Sequence, residues 1–187
     1  MRGLRRMTDL KIKVRDRIYL SGVSHADKPA LLEHLQIKDI HDRTMNIPYP
    51  YSAADADWWL SKRIEHTNRQ GKESTFAIRD ASKLIGVVGA DNFELGMTHR
   101  AEIGYWLAKP YWGQGLMTEA VRTFVRYAFA ELELVRLIAH VFSFNLSSAR
   151  VLEKNGFRLE GSLRKHFCKD GQLIDARVYG LLKEEWP

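Results

Sequence analysis

The residues best suited to chemistry form a glycine-rich turn between an apolar run and an amphipathic segment. The turn reads Trp112-Gly113-Gln114-Gly115-Leu116-Met117 and follows the apolar residues 103–108. Glycines at alternate positions let backbone N–H groups converge without obstruction by Cβ atoms, and a helix beginning there adds unpaired N–H groups and the positive end of its dipole. Such a turn can bind a pyrophosphate. Because it can equally be a plain strand-to-helix connection, its neighbours must decide.

The elements that position this turn are predicted from hydrophobic periodicity. Apolar residues recur at helical spacing through 117–132, so one face of this helix should cover a sheet. The run Leu137–Phe144 is almost continuously apolar, as expected of a central strand covered on both faces. A short helix over 147–154 is predicted to end at Asn155-Gly156-Phe157, a left-handed stop followed by an apolar residue.

The remaining segments mix strands and helices within one domain. Strands are predicted over 17–21, 75–79, 84–90, 101–108, 159–168 and 173–182, and helices over 27–36 and 52–68. Asp170-Gly171 is a favoured hairpin turn between the last two strands. Pro48 and Pro50 forbid regular structure before the second helix, which carries Trp58 and Trp59. These residues either shape a pocket wall or pack two helices onto the sheet.

Size and composition indicate a single cytoplasmic domain. The chain has 187 residues and a net charge of +6, and no apolar run reaches the length of a membrane span or a signal peptide. Residues 1–16 are predicted to be a basic arm, either preceding or joining the first strand, and 17–187 the domain. The basic charge favours acidic ligands, but no nucleic-acid motif is present.

Metal and disulfide chemistry are not expected. Cys168 is the only cysteine, and the seven histidines lie singly, without metal-ligand spacing. No metal cofactor is therefore predicted.

Three segments in order resemble the GNAT superfamily of acetyl-CoA-dependent N-acetyltransferases, and more closely its RimJ/RimL-like branch. They are Ala101–Leu107 (AEIGYWL), Tyr111–Ala120 (YWGQGLMTEA) and Asn145–Phe157 (NLSSARVLEKNGF). Ile47-Pro48-Tyr49-Pro50 with Trp58-Trp59 is similar to the helical N-terminal region of this branch, so the resemblance covers roughly 18–186. It implies a single α/β domain with a mixed, mostly antiparallel sheet of six to seven strands, helices on both faces and splayed central strands.

The resemblance also implies acetyl-CoA as co-substrate, with its pyrophosphate on the glycine turn and its pantetheine arm between the splayed strands. The implied cofactor-binding residues are Leu107, Ala108, Trp112, Gly113, Gln114, Gly115, Leu116, Met117 and Asn145. Trp112 and Met117 depart from the usual Q/R-x-x-G-x-G/A pattern, although a methionine can turn its side chain away and still present its N–H. Asn145 is expected either to bond the pantetheine arm or to cap the next helix.

Catalytic roles are carried over residue by residue. Ser148 matches the serine that the branch places near the thiol, and is either a general acid or a helix-start residue. Glu102 lies where several GNAT enzymes place their general base. Other members place a glutamate on the penultimate strand, where this chain has Phe167. A backbone N–H near Leu107 would polarise the thioester carbonyl.

The acceptor is the open question. A protein N-terminus is the first hypothesis, because an α-amine with a pKa near ~8 needs less help from a base than a lysine near ~10.4. A small-molecule amine is the second, and a non-catalytic basic module bound to ribosome or RNA is the third. Direct transfer in a ternary complex is expected rather than an acetyl-Cys168 intermediate, and the protein is either a monomer or a homodimer.

Overall fold

The computed structural model describes residues 10–186 and contains one eight-stranded sheet in the order β1-β2-β3-β4-β5-β6-β8-β7. The strands are β1 Lys11–Arg15, β2 Ile18–Gly22, β3 Thr75–Asp80, β4 Lys83–Asp91, β5 Arg100–Leu107, β6 Arg136–Phe142, β7 Arg158–Lys169 and β8 Gln172–Leu182. The helices are α1 Lys28–His34, α2 Lys38–His41, α3 Ala53–Gln70, α4 Leu116–Glu131 and α5 Leu146–Glu153. The predicted α/β domain is confirmed, and each predicted element is present within a few residues.

The sheet has one strand more than predicted, and the difference is β1. In Lys11-Ile12-Lys13-Val14-Arg15 charged and apolar residues alternate, which is the pattern of a strand with one buried face. Ile12 and Val14 pack against the core, while β1 pairs with β2 along the edge of the sheet. The predicted basic arm is therefore partly an edge strand, and its residues 1–9 lie outside the described part of the chain.

Helices cover both faces of the sheet, as expected. The apolar stripe of α4 is fully buried with Phe124 at its centre, and α5 adds Leu152 to the same core. On the other face α1 and α3 pack Leu31 and Leu60 against β4. Ser52 is the N-cap of α3, as predicted, and its hydroxyl accepts from the N–H of Asp55 at 3.2 Å.

The two central strands separate, which confirms the predicted splay. β5 and β6 form the one parallel pair among the described strands, and they pair only where Arg100–Glu102 faces Arg136–Ile138. Every other neighbouring pair is antiparallel. Beyond Glu102 the strands diverge, so a wedge opens in the middle of the sheet.

No helix of residues 10–186 is long and apolar enough to cross a membrane.

Candidate active site

The glycine turn has the backbone conformation that its sequence predicts. Gly113 and Gly115 have φ values of 75° and 73°, in the left-handed region that favours glycine. Gly115 is the N-cap of α4, and no atom lies within 4 Å of where a Cβ would stand on either glycine. The first N–H groups of α4 have no partner within the helix. They border a cavity of about 450 Å³, called here the turn cavity.

Trp112 connects this turn to the end of β5. Its indole Nε1–H donates to the carbonyl of Leu107 at 2.7 Å, and the guanidinium of Arg43 lies 5.6 Å from the ring centroid. Trp112 therefore holds the turn against the strand. The side chain of Met117 is buried in the core, as expected for a residue that contributes only its backbone.

The hydrogen-bond pattern of β5 fixes which backbone groups face the wedge. Ala108 donates its N–H to the carbonyl of Ile85 on β4 at 2.8 Å. In an antiparallel ladder the bonded pairs alternate, so Leu107, opposite Gly86, turns its N–H and C=O away from β4. The bond from Trp112 to the Leu107 carbonyl agrees with this direction. The N–H of Leu107 therefore faces the gap between β5 and β6.

Most of the residues predicted for cofactor binding line the turn cavity, and two do not. The lining set is Leu107, Trp112, Gly113, Gly115, Leu116, Met117 and Asn145. Ala108 is fully buried with its N–H used in the sheet. The Gln114 side chain donates to the carbonyl of Pro110 at 2.9 Å, and the backbone carbonyl of Gln114 accepts from Arg15 of β1 at 3.3 Å. Ala108 and the Gln114 side chain therefore do not line the turn cavity.

Three cationic side chains line the same cavity, and none of them was predicted from the sequence. They are Arg43 after α2, Arg150 on α5 and Lys154 just after α5. Arg150 and Lys154 are four residues apart, a spacing that places both on one helical face and could have signalled them. Arg43 is brought in from a distant segment, which no local pattern indicates. Together they make the turn cavity suitable for an anionic ligand.

Asn145 and Ser148 lie together at the start of α5. The Asn145 Oδ1 accepts from the N–H of Ser148 at 3.2 Å, so the capping role is present. The Ser148 hydroxyl lies 2.9 Å from the hydroxyl of Tyr105, a residue that the sequence motif contained but to which no role was given. Burial raises the pKa of Tyr105 above its ordinary value, so its hydroxyl stays protonated. Tyr105 and Ser148 form a hydroxyl pair between β5 and α5.

A second cavity of about 910 Å³, called here the wedge cavity, occupies the opened sheet. Six residues line both cavities, and they are Arg43, Thr44, Tyr105, Trp106, Asn145 and Ser148. Glu102 lies in the wedge cavity with Gly104 and Trp106, the face that strand alternation predicted. Phe167 also lines it. The two cavities therefore meet at the Tyr105–Ser148 hydroxyl pair.

Glu102 is hydrogen-bonded to a histidine. Its Oε1 lies 2.9 Å from Nδ1 of His140 on β6, and its Oε2 lies 3.4 Å from the Asn92 amide. The His140 ring stacks on that of His166 with centroids 5.1 Å apart and an angle of 14°. No role was predicted for His140 from the sequence, although it is the one polar side chain within the apolar run that follows Arg136 in β6.

The proline and aromatic segment forms a wall of the wedge cavity. Ile47, Pro48, Tyr51 and Trp59 line it, and Trp58 lines it with 64% of its surface exposed. Burial raises the pKa of Tyr51 to about 12, so its hydroxyl remains neutral near neutral pH. The pocket-wall interpretation of this segment thus agrees with the geometry. Within residues 10–186 no cluster of three potential ligands could hold a metal ion.

Comparison with known proteins identifies the family of this chain. The model of the acetyltransferase (GNAT) domain family matches residues 17–158. The chain is 44% identical over 129 residues to the probable N-acetyltransferase YjcK of Bacillus subtilis, covering 66% of this chain and 71% of that protein. It is 29% identical to the [ribosomal protein uS5]-alanine N-acetyltransferase of Escherichia coli, covering 66% and 64%.

A solved structure shares the fold. It is that of RimL, a ribosomal L7/L12 alpha-N-protein acetyltransferase in complex with coenzyme A, with a TM-score of 0.84, 22% identity and coverage of 92% of this chain and 98% of that one. The chain belongs to the GNAT acetyltransferase family, and the RimJ/RimL-like resemblance is confirmed. It is an acyltransferase, which sets aside the non-catalytic module.

Proposed function

We propose that this GNAT-family protein transfers the acetyl group of acetyl-CoA to the N-terminal α-amine of a protein or peptide. The observation that carries the proposal is the meeting of two cavities of different character at Tyr105, Asn145 and Ser148. One cavity offers backbone donors and cations to an anion, and the other offers carboxylates and aromatic surface to an amine. The thioester would lie where they join.

The turn cavity suits acetyl-CoA. The first N–H groups of α4 and the side chains of Arg43, Arg150 and Lys154 would bind its phosphates. The pantetheine arm would follow the exposed backbone edge of β5, since splayed strands leave amide groups that an extended ligand can satisfy. Relatives with this fold include RimL, which was solved with coenzyme A.

The wedge cavity suits an amine that continues into a chain. Glu102 and Asp55 supply negative charge that attracts a cationic amine, while Asp91 in the same cavity is paired with Arg63. Its mouth carries Met45 and Trp58, which are 39% and 64% exposed and offer apolar surface to residues following the amine. A relative named for acetylating the alanine of ribosomal protein uS5 supports a protein acceptor.

Transfer requires one bond to form and another to break at the junction of the cavities. The neutral amine attacks the thioester carbonyl and gives up one proton to a base in the wedge cavity, while the N–H of Leu107 stabilises the oxyanion that develops. The C–S bond then breaks, and the Ser148 hydroxyl donates to the departing sulfur while Tyr105 supports it from 2.9 Å. Cys168 lies outside both cavities, which favours direct transfer.

The test is thiol release from acetyl-CoA with a matched pair of peptides and a polyamine. One peptide has a free α-amine and no lysine; its partner has a blocked α-amine and one lysine. The ordinary pKa values of ~8 and ~10.4 leave about 200-fold more of the α-amine neutral at pH 7, so the first peptide should react at least tenfold faster. Equal or faster reaction of the lysine peptide would contradict the proposal. Faster reaction of spermidine would establish a small-molecule acceptor instead.

A further inference from the structure

We propose that His140 is the catalytic base of this reaction and that Glu102 is the residue that positions it. The inference rests on the proposed acetyl transfer but does not depend on which amine is the acceptor. It starts from the hydrogen bond between the two side chains, which joins His140 Nδ1 to Glu102 Oε1 over 2.9 Å. An ionised carboxylate can only accept, so Nδ1 carries the hydrogen and Nε2 holds a lone pair.

The His140 ring borders the wedge cavity. His140 follows Ile138, the last β6 residue paired with β5, by two positions, so both lie on the same face just inside the wedge. The alternate residues Leu137, Ala139 and Val141 pack in the core beneath α4. His140 lines the wedge cavity with 22% of its side chain exposed, and among the described residues Nε2 has no hydrogen-bond partner.

The ring is held rigidly. His166 stacks on one side with centroids 5.1 Å apart, and Phe167 meets the ring edge-on at 6.5 Å and 88°. With Glu102 bonded to Nδ1, the imidazole is fixed in position and in tautomer. A fixed ring with one accessible nitrogen is the arrangement that general-base catalysis requires.

The groups that face His140 from the neighbouring elements include one carboxylate in direct contact. Glu102 of β5 contacts it directly, and Asp91 of β4 lies across from Glu102, paired with Arg63 of α3. From β7 the neighbours are His166 and the neutral Phe167, and from β8 the opposite residue is the neutral Val178. The carboxylate of Glu102 would stabilise the imidazolium, as the carboxylate of a catalytic triad does.

An imidazole is also better matched than a carboxylate to the proton it must take. A general base works best when its ordinary pKa is close to the operating pH, and imidazole at ~6.5 is closer to neutrality than glutamate at ~4.3. As the N–C bond forms, the amine nitrogen passes one proton to Nε2, and the thiolate receives one from the Tyr105–Ser148 hydroxyls. The imidazolium then gives its proton to solvent, and solvent replaces the one given to sulfur.

The experiment compares three substitutions in the full-length protein, using the amine that the wild type acetylates fastest. His140→Asn keeps a donor for Glu102 and removes the base, so kcat should fall by about 100-fold or more. Glu102→Gln keeps an acceptor for Nδ1, so kcat should fall only about tenfold and the acid limb of the pH–rate profile should persist. His25→Asn, the same change on an exposed histidine that lines neither cavity, should stay within threefold of wild type.

Chemical rescue separates a base from a structural residue. Added imidazole should restore a measurable part of the activity of His140→Gly but none of that of Glu102→Gln, while calorimetry should show unchanged acetyl-CoA affinity in both. If Glu102→Gln loses more activity than His140→Asn, or if His140→Asn keeps kcat within threefold, the inference is wrong and the proposed function stands. If wild type releases no thiol with any amine, the proposed function itself fails.

Discussion

The turn cavity and the wedge cavity are built in different ways. The turn cavity takes its main donors from the backbone of one continuous segment, Gly113–Thr118, with the two left-handed glycines as the essential residues. The wedge cavity takes its character from side chains of the 45–51 segment, α3, β5, β6 and β7, which are far apart in sequence. Backbone recognition of the co-substrate is therefore encoded locally, and recognition of the acceptor depends on the tertiary fold.

This difference predicts that the two binding functions can be damaged separately. A change in the turn should weaken acetyl-CoA binding whatever the acceptor, and a change in the wedge should affect the acceptor and leave acetyl-CoA affinity intact. Substitutions at the junction should lower turnover without affecting either affinity.

Gly115→Asp should have the largest effect. It forces a left-handed φ of 73° on a non-glycine residue and places a carboxylate at the anion site, so acetyl-CoA affinity should fall by at least about 100-fold, the loss expected for two hydrogen bonds to a charged group. Gly96→Asp is the matched control, because Gly96 has the same φ of 73°, equally open space and no place in either cavity. Calorimetry measures the acetyl-CoA affinity of both variants. Equal affinities would mean that the glycine turn does not bind acetyl-CoA.

Ser148→Ala tests the junction. Removing the hydroxyl that faces Tyr105 should lower kcat by about 10- to 100-fold, the range of a lost proton donor, with acetyl-CoA affinity retained. Ser162→Ala serves as control, since Ser162 is an exposed serine that lines neither cavity. Steady-state thiol release measures both variants. Equal kcat values would mean that Ser148 has only a structural role at the start of α5.

Gly104→Val tests the wedge alone. The nearest atom to a Cβ on Gly104 is the Asp91 Oδ2 at 3.9 Å, so the strand accepts a side chain, which would stand in the wedge cavity. We expect the KM of the acceptor to rise about tenfold while acetyl-CoA affinity stays unchanged, since one misplaced contact typically costs ~1–3 kcal/mol. Gly161→Val on β7 is the control, because it also has open space. A parallel loss of acetyl-CoA binding would contradict the separation of the two cavities.

Lys154→Gln should have the smallest effect. Lys154 lies at the rim of the turn cavity, where a solvent-exposed charge contributes about 1 kcal/mol or less, so acetyl-CoA affinity should fall about threefold at low salt. The loss should disappear at high ionic strength. Lys183→Gln, on an exposed lysine outside both cavities, should show no such salt dependence. A loss that persists in high salt would instead indicate a direct, desolvated contact.

The same contrast explains what the sequence could predict. The turn, the capped helix at Ser52 and the apolar stripe of α4 follow from neighbouring residues, and all were predicted. His140 lies on β6 and Arg43 lies after α2, and the tertiary fold brings each of them to a cavity. No spacing in the sequence therefore predicts that they belong to the site. The residues of β1 belong to the basic segment 1–16, and the charge of that segment led to the prediction of an arm. The alternation of charged and apolar residues within 11–15 indicates a strand.

The bond between β1 and the turn has a thermodynamic consequence. Arg15 donates to the carbonyl of Gln114 and forms an ion pair with Glu119 at 3.0 Å, so an edge strand at one end of the sheet is tied to the anion site. The local opening of β1 and the binding of the ligand are then linked equilibria. The free energy by which an open β1 weakens ligand binding equals the free energy by which the bound ligand disfavours opening of β1. Acetyl-CoA should accordingly slow amide hydrogen exchange in residues 11–15, although none of them lies in the turn cavity.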